Sequence, residues 1–182
     1  MDLHTAILGL LSWKPASGYD LKQVIGDSDI FYWSGNNNQI YKGLLELEKA
    51  GLVTHRLQPQ EGLPAKKIYS ITVEGLSALR RSLLAAPEVP ELHNSFLIQL
   101  AWAETLSDAQ VLALLDKYES EIKGRLLMLQ GKAARAGGAT YRSTRERYLW
   151  QRIHENLVEA CQTELEWVQQ TRRGLREQEY PG

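Results

Sequence analysis

Cysteine is almost missing from this chain: Cys161 is the one thiol among 182 residues, so no internal disulfide and no multi-thiolate zinc site can form. Such a chain suits a reducing compartment. Histidine is sparse as well. His4, His55, His93 and His154 are scattered, with no HxxxH pair and no carboxylate at ligand spacing beside a second histidine. The signatures GxGxxG, GxxxxGK[ST] and GxSxG are absent, so nucleotide binding through a glycine loop and a serine nucleophile elbow are both unsupported. No catalytic residue, metal or cofactor is expected, and the chain reads as a non-enzyme. Long apolar runs are lacking: none approaches the ~20 residues of a membrane span. The opening MDLHTAILGLLSWKP has neither a basic n-region nor a small-residue cleavage site. A cytoplasmic protein with no membrane partner is the expectation. Charge of one sign is also missing, since 21 basic and 22 acidic side chains leave a formal charge of -1. That balance runs against a nucleic-acid partner, which usually demands clustered Lys and Arg.

What is present is ordinary globular composition, with 43% hydrophobic and 24% charged residues. A length of 182 residues accommodates one domain or two small ones. Leu3, Ile7, Leu10 and Leu11 recur at helical spacing until Pro15. Ser17 offers an N-cap for a short helix, Gly18 to Ile25, with Tyr19, Leu21, Val24 and Ile25 expected inward. A loop with Phe31, Tyr32 and Trp33 leads into Ser34-Gly35-Asn36-Asn37-Asn38, residues that favour caps and turns. A third helix follows to Lys49, its stripe Ile40, Tyr41, Leu44, Leu45 and Leu47, with Gly51 as a left-handed stop. From Leu52 the period becomes two, and two strands separated by Pro59 to Pro64 predict a hairpin. Thr72 then caps a fourth helix, Val73 to about Ala85, carrying Leu76, Leu79, Leu83 and Leu84. Three helices, a hairpin and a helix is the order of a winged helix-turn-helix.

Pro87 and Pro90 mark a boundary. Beyond it Phe96, Leu97, Leu100 and Ala101 define a short helix ending near Thr105. Ser107 with Gln110 and Ser143 with Glu146 are capping-box pairs that open two long helices. The first carries Val111, Leu115, Tyr118, Ile122, Leu126 and Leu129, and Gly137-Gly138 ends it. The second carries Leu149 or Trp150, Ile153, Leu157, Cys161, Leu165, Val168, Arg172 and Leu175. Helices of about 30 residues would be ~45 Å long. Two of them cover one stripe of each other, so the remaining apolar positions ask for a second copy; packing on the winged helix is the alternative. The fold class expected is mainly α with a small β-hairpin wing: a winged helix-turn-helix over 1–86 and a C-terminal long-helix dimerisation domain over 87–182.

The third helix carries the chemistry. Asn36, Asn37, Asn38 and Gln39 crowd its first turn, where Asn or Gln can pair bidentately with adenine, and Tyr41 and Lys42 follow. The same run also suits a capping loop, with Tyr41 a core aromatic or serving both roles. At the hairpin tip, Gly62, Lys66 and Lys67 suit a wing laid along a phosphate backbone, although paired lysines also protect an edge strand from aggregation.

The segments NNNQIYKGLLELEKAGLV, EGLPAKKIYSIT and TVEGLSALR, with LHTAILGLLSWKPASGYDL before them, resemble the PadR-like transcriptional regulators. FLIQLAWAETLS and ELEWV in the second half resemble the longer virulence-activator (AphA-type) branch. The resemblance spans nearly the whole chain and is most specific from Leu3 to Arg80. It implies a bacterial transcription regulator in which Gln39, Ile40 and Tyr41 begin the recognition helix. It also makes Gly62, Lys66 and Lys67 wing positions and places Tyr69 under the wing. Where such proteins often have Ser-His or Ser-Pro-Ser before this helix, the chain has Gly35-Asn36-Asn37-Asn38, so no operator preference carries over.

The charge balance is not uniform. From Asn36 to Thr72, Lys42, Lys49, Arg56, Lys66 and Lys67 oppose Glu46, Glu48 and Glu61. That modest footprint, duplicated in a homodimer, fits double-stranded DNA with a two-fold symmetric operator. The expected activity is repression at promoters, with activation as the alternative within the branch. A second alternative is an effector-responsive sensor in which Trp102, Tyr118, Tyr148, Trp150 and Trp167 line a cavity between the two domains for an aromatic or phenolic ligand; the same rings can simply pack helices. A winged-helix module binding only protein is a third.

Overall fold

The computed structural model describes residues 3–28, 30, 37–60, 62–87, 89, 94–135 and 141–177. The expectations for Phe31, Tyr32, Trp33, Ser34, Gly35 and Asn36, for Glu61, Pro90 and His93, and for Gly137-Gly138 lie outside those residues. The chain divides into two compact units, Met1–Glu91 and Leu92–Gly182.

In the first unit the order is α1 (Leu3–Leu11), β1 (Ala16–Ser17), α2 (Gly18–Gly26), α3 (Asn37–Lys49), β2 (Val53–Gln60), β3 (Leu63–Ile71) and α4 (Val73–Leu83). Ile7 and Leu44 are fully buried, Leu11, Leu21, Ile25 and Val53 nearly so, and together with Leu47, Tyr69 and Leu79 they form one core. Each such aliphatic side chain contributes roughly 1.5–3 kcal/mol by leaving water. The core is narrower than the periodicity suggested. On α2 only Leu21 and Ile25 reach it, while Tyr19 and Val24 are exposed. On α3 the buried positions are Ile40, Leu44 and Leu47, and Tyr41 and Leu45 stand outside. On α4 Leu79 is buried, and Leu76, Leu83 and the C-cap Leu84 are not. These short helices touch the core along one i, i+4 line, so residues one step round the helix remain in solvent.

The hairpin is longer than expected, and β1 extends it. The sheet order is β1-β3-β2, all antiparallel, with Ala16 opposite Tyr69 and Ser17 opposite Ile68. β3 is therefore not an edge strand at Ile68 and Tyr69, although at Lys66 and Lys67 it pairs on one side only. Gly51 (φ 71°) ends α3 and Gly62 (φ 69°) turns the hairpin, both in the left-handed region that favours glycine.

The second unit contains α5 (Ser95–Ala101), a 3-10 turn (Ala103–Thr105), α6 (Asp108–Arg135) and α7 (Thr144–Glu177). Asn94 caps α5, its carbonyl oxygen accepting from the Phe96 and Leu97 amides. Ser107 and Gln110 form the expected reciprocal cap of α6, each taking the other's backbone N–H. The Ser143 cap of α7 is half of a box. Glu146 N–H donates to Ser143 Oγ, but the Glu146 carboxylate turns to the Arg142 guanidinium and amide. α6 and α7 run antiparallel, seamed by Val111, Leu115, Ile122 and Leu129 against Cys161 and Val168. Across that seam Glu119 meets Arg172 and Gln169, with Lys123 one turn along α6 on the same carboxylate, and the Tyr118 hydroxyl donates to Glu164 Oε1 at 2.8 Å. Arg172, read from its spacing as part of an apolar stripe, is thus the cation of a largely buried ion pair. No helix among the described residues is long and apolar enough to cross a membrane.

Candidate nucleic-acid interface

α3 begins at Asn37, the backbone of which is described. The next turn presents Asn38, Gln39, Tyr41 and Lys42 outward, because Ile40 and Leu44 anchor the opposite side in the core. Two imidazoles tie this helix to its neighbours. His4 of α1 lies 3.0 Å from Glu46 Oε2, and His55 of β2 contacts Glu48 while its ring tilts against Tyr69. Lys42, mostly exposed, reaches Glu46 Oε1 at 3.8 Å, one turn along. An exposed polar turn is thereby held on a fixed helix, the arrangement that lets side chains reach base edges.

Beside it lies a cleft of about 440 Å³ lined by Ser17, Gly18, Tyr19, Tyr41, Gln60, Lys66, Lys67 and Tyr69. It joins the start of α2, the outer face of α3 and the hairpin. Gly18 leaves room for the Tyr41 ring: a Cβ there would lie 2.5 Å from Tyr41 Cε1, which would have to move aside. Ser17 caps α2 in a reciprocal box. Its N–H and hydroxyl donate to Asp20 Oδ2 at 3.0 and 2.7 Å, and Asp20 N–H donates back to Ser17 Oγ at 3.2 Å. These bonds, with a smaller contribution from Lys66, hold the Asp20 carboxyl below its ordinary value. Burial, then the charge of Glu48, pushes the Tyr69 phenol up.

The structure brings Tyr41, Lys66 and Lys67 to one cleft and sets Asn38, Gln39 and Lys42 on the adjoining helix face; Asn36 lies outside the described residues. Gly62 is at the hairpin tip. Two features escaped the sequence reading: β1, and the ion pair between Lys66 and Asp20. The Ser17-x-x-Asp20 spacing was a readable signal for the cap, but nothing local marks its link to Lys66.

Of the five aromatics expected to line a ligand pocket, Tyr118 and Trp167 share one neighbour, Phe96. Tyr118 stacks on Phe96 with centroids 3.7 Å apart, and Trp167 meets the same ring edge-on at 6.3 Å. Burial, above all, raises the Tyr118 phenol, which also accepts from Asn94 Nδ2. Trp150 lies in a separate groove with Arg142, Arg145, Leu149 and Ile153. Trp102 and Tyr148 are exposed.

Residues 7–81 match the Transcriptional regulator PadR-like family, and residues 92–176 match Virulence activator alpha C-term. The chain is 30% identical over 130 residues to the Negative transcriptional regulator PadR of Bacillus subtilis (strain 168), covering 71% of each chain. The crystal structure of Bacillus subtilis PadR in complex with operator DNA is similar at a TM-score of 0.84 and 25% identity, covering 95% of this chain and 98% of that one. The Vibrio cholerae virulence activator AphA is similar in fold at a TM-score of 0.71 and 23% identity, covering 97% of this chain and 99% of that one.

Proposed function

The chain belongs to the PadR-like family of transcriptional regulators, and from that premise we propose that it is a homodimeric, sequence-specific DNA-binding regulator that represses by occupying promoter operators. The carrying observation is the exposed polar first turn of α3, anchored in the core and flanked by a lysine-bearing hairpin. In this reading residues 1–86 are the DNA-binding domain. Asn36, Asn37, Asn38 and Gln39 face base edges in the major groove, Tyr41 and Lys42 flank them, and Gly62, Lys66 and Lys67 belong to a wing along the backbone. The similarity to a negative regulator that has been crystallised with operator DNA supports both the partner and the sign of regulation. The protein acts in the cytoplasm, where its DNA is, and without catalysis.

Residues 87–182 are read as the dimerisation domain. Leu127, Met128, Tyr148 and Leu149 are exposed on α6 and α7, apolar side chains that a second copy could cover. Pairing two identical reading heads calls for an operator with two-fold symmetry and half-sites about one helical turn, or a multiple, apart.

Selection of bound sequences from a random duplex library tests the proposal, and a palindrome-like consensus is expected. On that consensus Gln39→Ala relaxes base preference at one position of each half-site, whereas Lys66→Ala with Lys67→Ala weakens binding to all sequences. Recovery of no enriched sequence, or equal affinity of wild type and the triple variant, refutes the assignment of this face.

A further inference from the structure

Lys66 and Lys67 are neighbours on β3, so their side chains leave the strand on opposite faces. Their surroundings differ accordingly. Lys66 Nζ lies 3.2 Å from Asp20 Oδ2 and 3.3 Å from Oδ1. Asp20 is itself fixed by the Ser17 hydroxyl and amide, and Ser17 pairs with Ile68 in the sheet. The contacts close a ring: from β3 through Lys66 to Asp20, to Ser17, and back to β3 two residues further on. Both lysines border the cleft shared with Tyr19 and Tyr41, but Lys67 is exposed and makes no ion pair among the described residues.

A lysine whose charge is already engaged by a carboxylate neutralises a phosphate less completely and displaces fewer of the cations condensed on DNA, whereas an unpaired lysine displaces about one per phosphate it contacts. We infer that the two lysines divide the work. Lys67 contacts a backbone phosphodiester at this cleft, and Lys66, held by Asp20, is a positioning residue that fixes the root of the wing against α2. The inference rests on the DNA-binding function proposed above.

The test uses the full-length protein, a labelled mixed-sequence duplex and a salt titration. Lys67→Ala is expected to reduce the slope of log affinity against log salt by about 0.9 per protomer. Lys66→Ala is expected to leave that slope at the wild-type value while lowering affinity about two- to fivefold, and Lys66→Arg to restore it. In the free protein, amide hydrogen exchange across β2 and β3 should rise for Lys66→Ala and for Asp20→Asn and stay unchanged for Lys67→Ala. Thermal melts confirm that each variant is folded. Equal slope losses for the two lysine variants, or hairpin exchange indifferent to Lys66→Ala, overturn the division of labour while leaving the DNA reading standing. A wild-type protein that binds no duplex at any salt overturns both.

Discussion

Gly75 offers a sharp test of how α4 is seated on the hairpin. A Cβ added there would lie 2.1 Å from the Leu52 carbonyl oxygen and 2.8 Å from Ile71 Cγ1. The nearer obstacle is backbone, already committed as acceptor for Thr72 N–H at 3.1 Å, so it cannot rotate away. Ordinary contact requires α4 to retreat by about 1 Å, and the retreat pulls on every link at its N-terminus. Gly75 N–H donates to Thr72 Oγ1 at 2.9 Å, and that hydroxyl donates to the Gly51 carbonyl at 2.8 Å. Loss of two such bonds costs about 2 kcal/mol, and partial withdrawal of Leu79 from the core adds about 1 kcal/mol. Set against a helix-propensity gain of up to ~1 kcal/mol, Gly75→Ala should destabilise the first unit by about 2–3 kcal/mol. Urea unfolding with amide exchange in α1, α3 and α4 measures it. Gly124→Ala is the control: it is exposed in the middle of α6 with nothing within 4 Å of the added carbon, and should be neutral or stabilising by up to ~1 kcal/mol. Wild-type stability and exchange in Gly75→Ala would refute the reasoning.

Gly18→Ala meets only side-chain atoms of Tyr41 and Leu44, so it should cost less than about 1 kcal/mol in stability yet displace Tyr41 from the cleft and weaken DNA binding; denaturation and a duplex titration separate the two effects. Arg172→Met removes the cation shared by Glu119 and Asp116, but Lys123 and Gln169 still reach Glu119, so the loss should be about 2–3 kcal/mol rather than the full cost of an orphaned buried charge, measured by chemical denaturation. Because burial raises the Tyr118 phenol, the folded protein keeps that proton at a pH where the unfolded chain has released it, and stability falls as pH climbs above about 10. The stability gap between wild type and Tyr118→Phe should therefore narrow with rising pH, and a constant gap from pH 8 to 11 would exclude this linkage.

Legibility in the sequence tracked the range of each interaction. The capping pair Ser107 and Gln110, the glycine stop at Gly51 and the seam of α6 against α7 depend on residues three to seven apart, and periodicity locates them. The same local rule half-failed at Ser143 and Glu146, because Arg142 competes for the carboxylate and a three-residue pattern does not weigh its neighbour. Faces were legible to within one step of the helix: Leu44 and Tyr41 both fit a stripe, and only the packing of α1 and α2 decides which is covered. β1 is two residues long and has no period to detect. The Asp20–Lys66 pair joins positions 46 apart, which is a property of the folded sheet alone.

That long-range pair changes what the near-neutral charge means. Of the five basic side chains between Asn36 and Thr72, Lys42 shares Glu46 and Lys66 shares Asp20. Lys49, Arg56 and Lys67 make no ion pair among the described residues. One protomer therefore brings few free cations to a duplex, and each phosphate contact is worth only about 0.9 in the salt slope. Stronger attraction from a single head would need a more basic surface, which would also strengthen binding to every non-specific site. Joining two weak heads avoids that cost, since the second binds at the effective concentration set by the first and adds affinity of about 10²–10⁴ only where both half-sites are present. A reading head poor in free charge is consistent with specificity obtained through spacing; if residues 87–182 dimerise as proposed, the long α6–α7 hairpin would belong to the recognition apparatus, because the distance between two heads would depend on how that hairpin pairs with its copy.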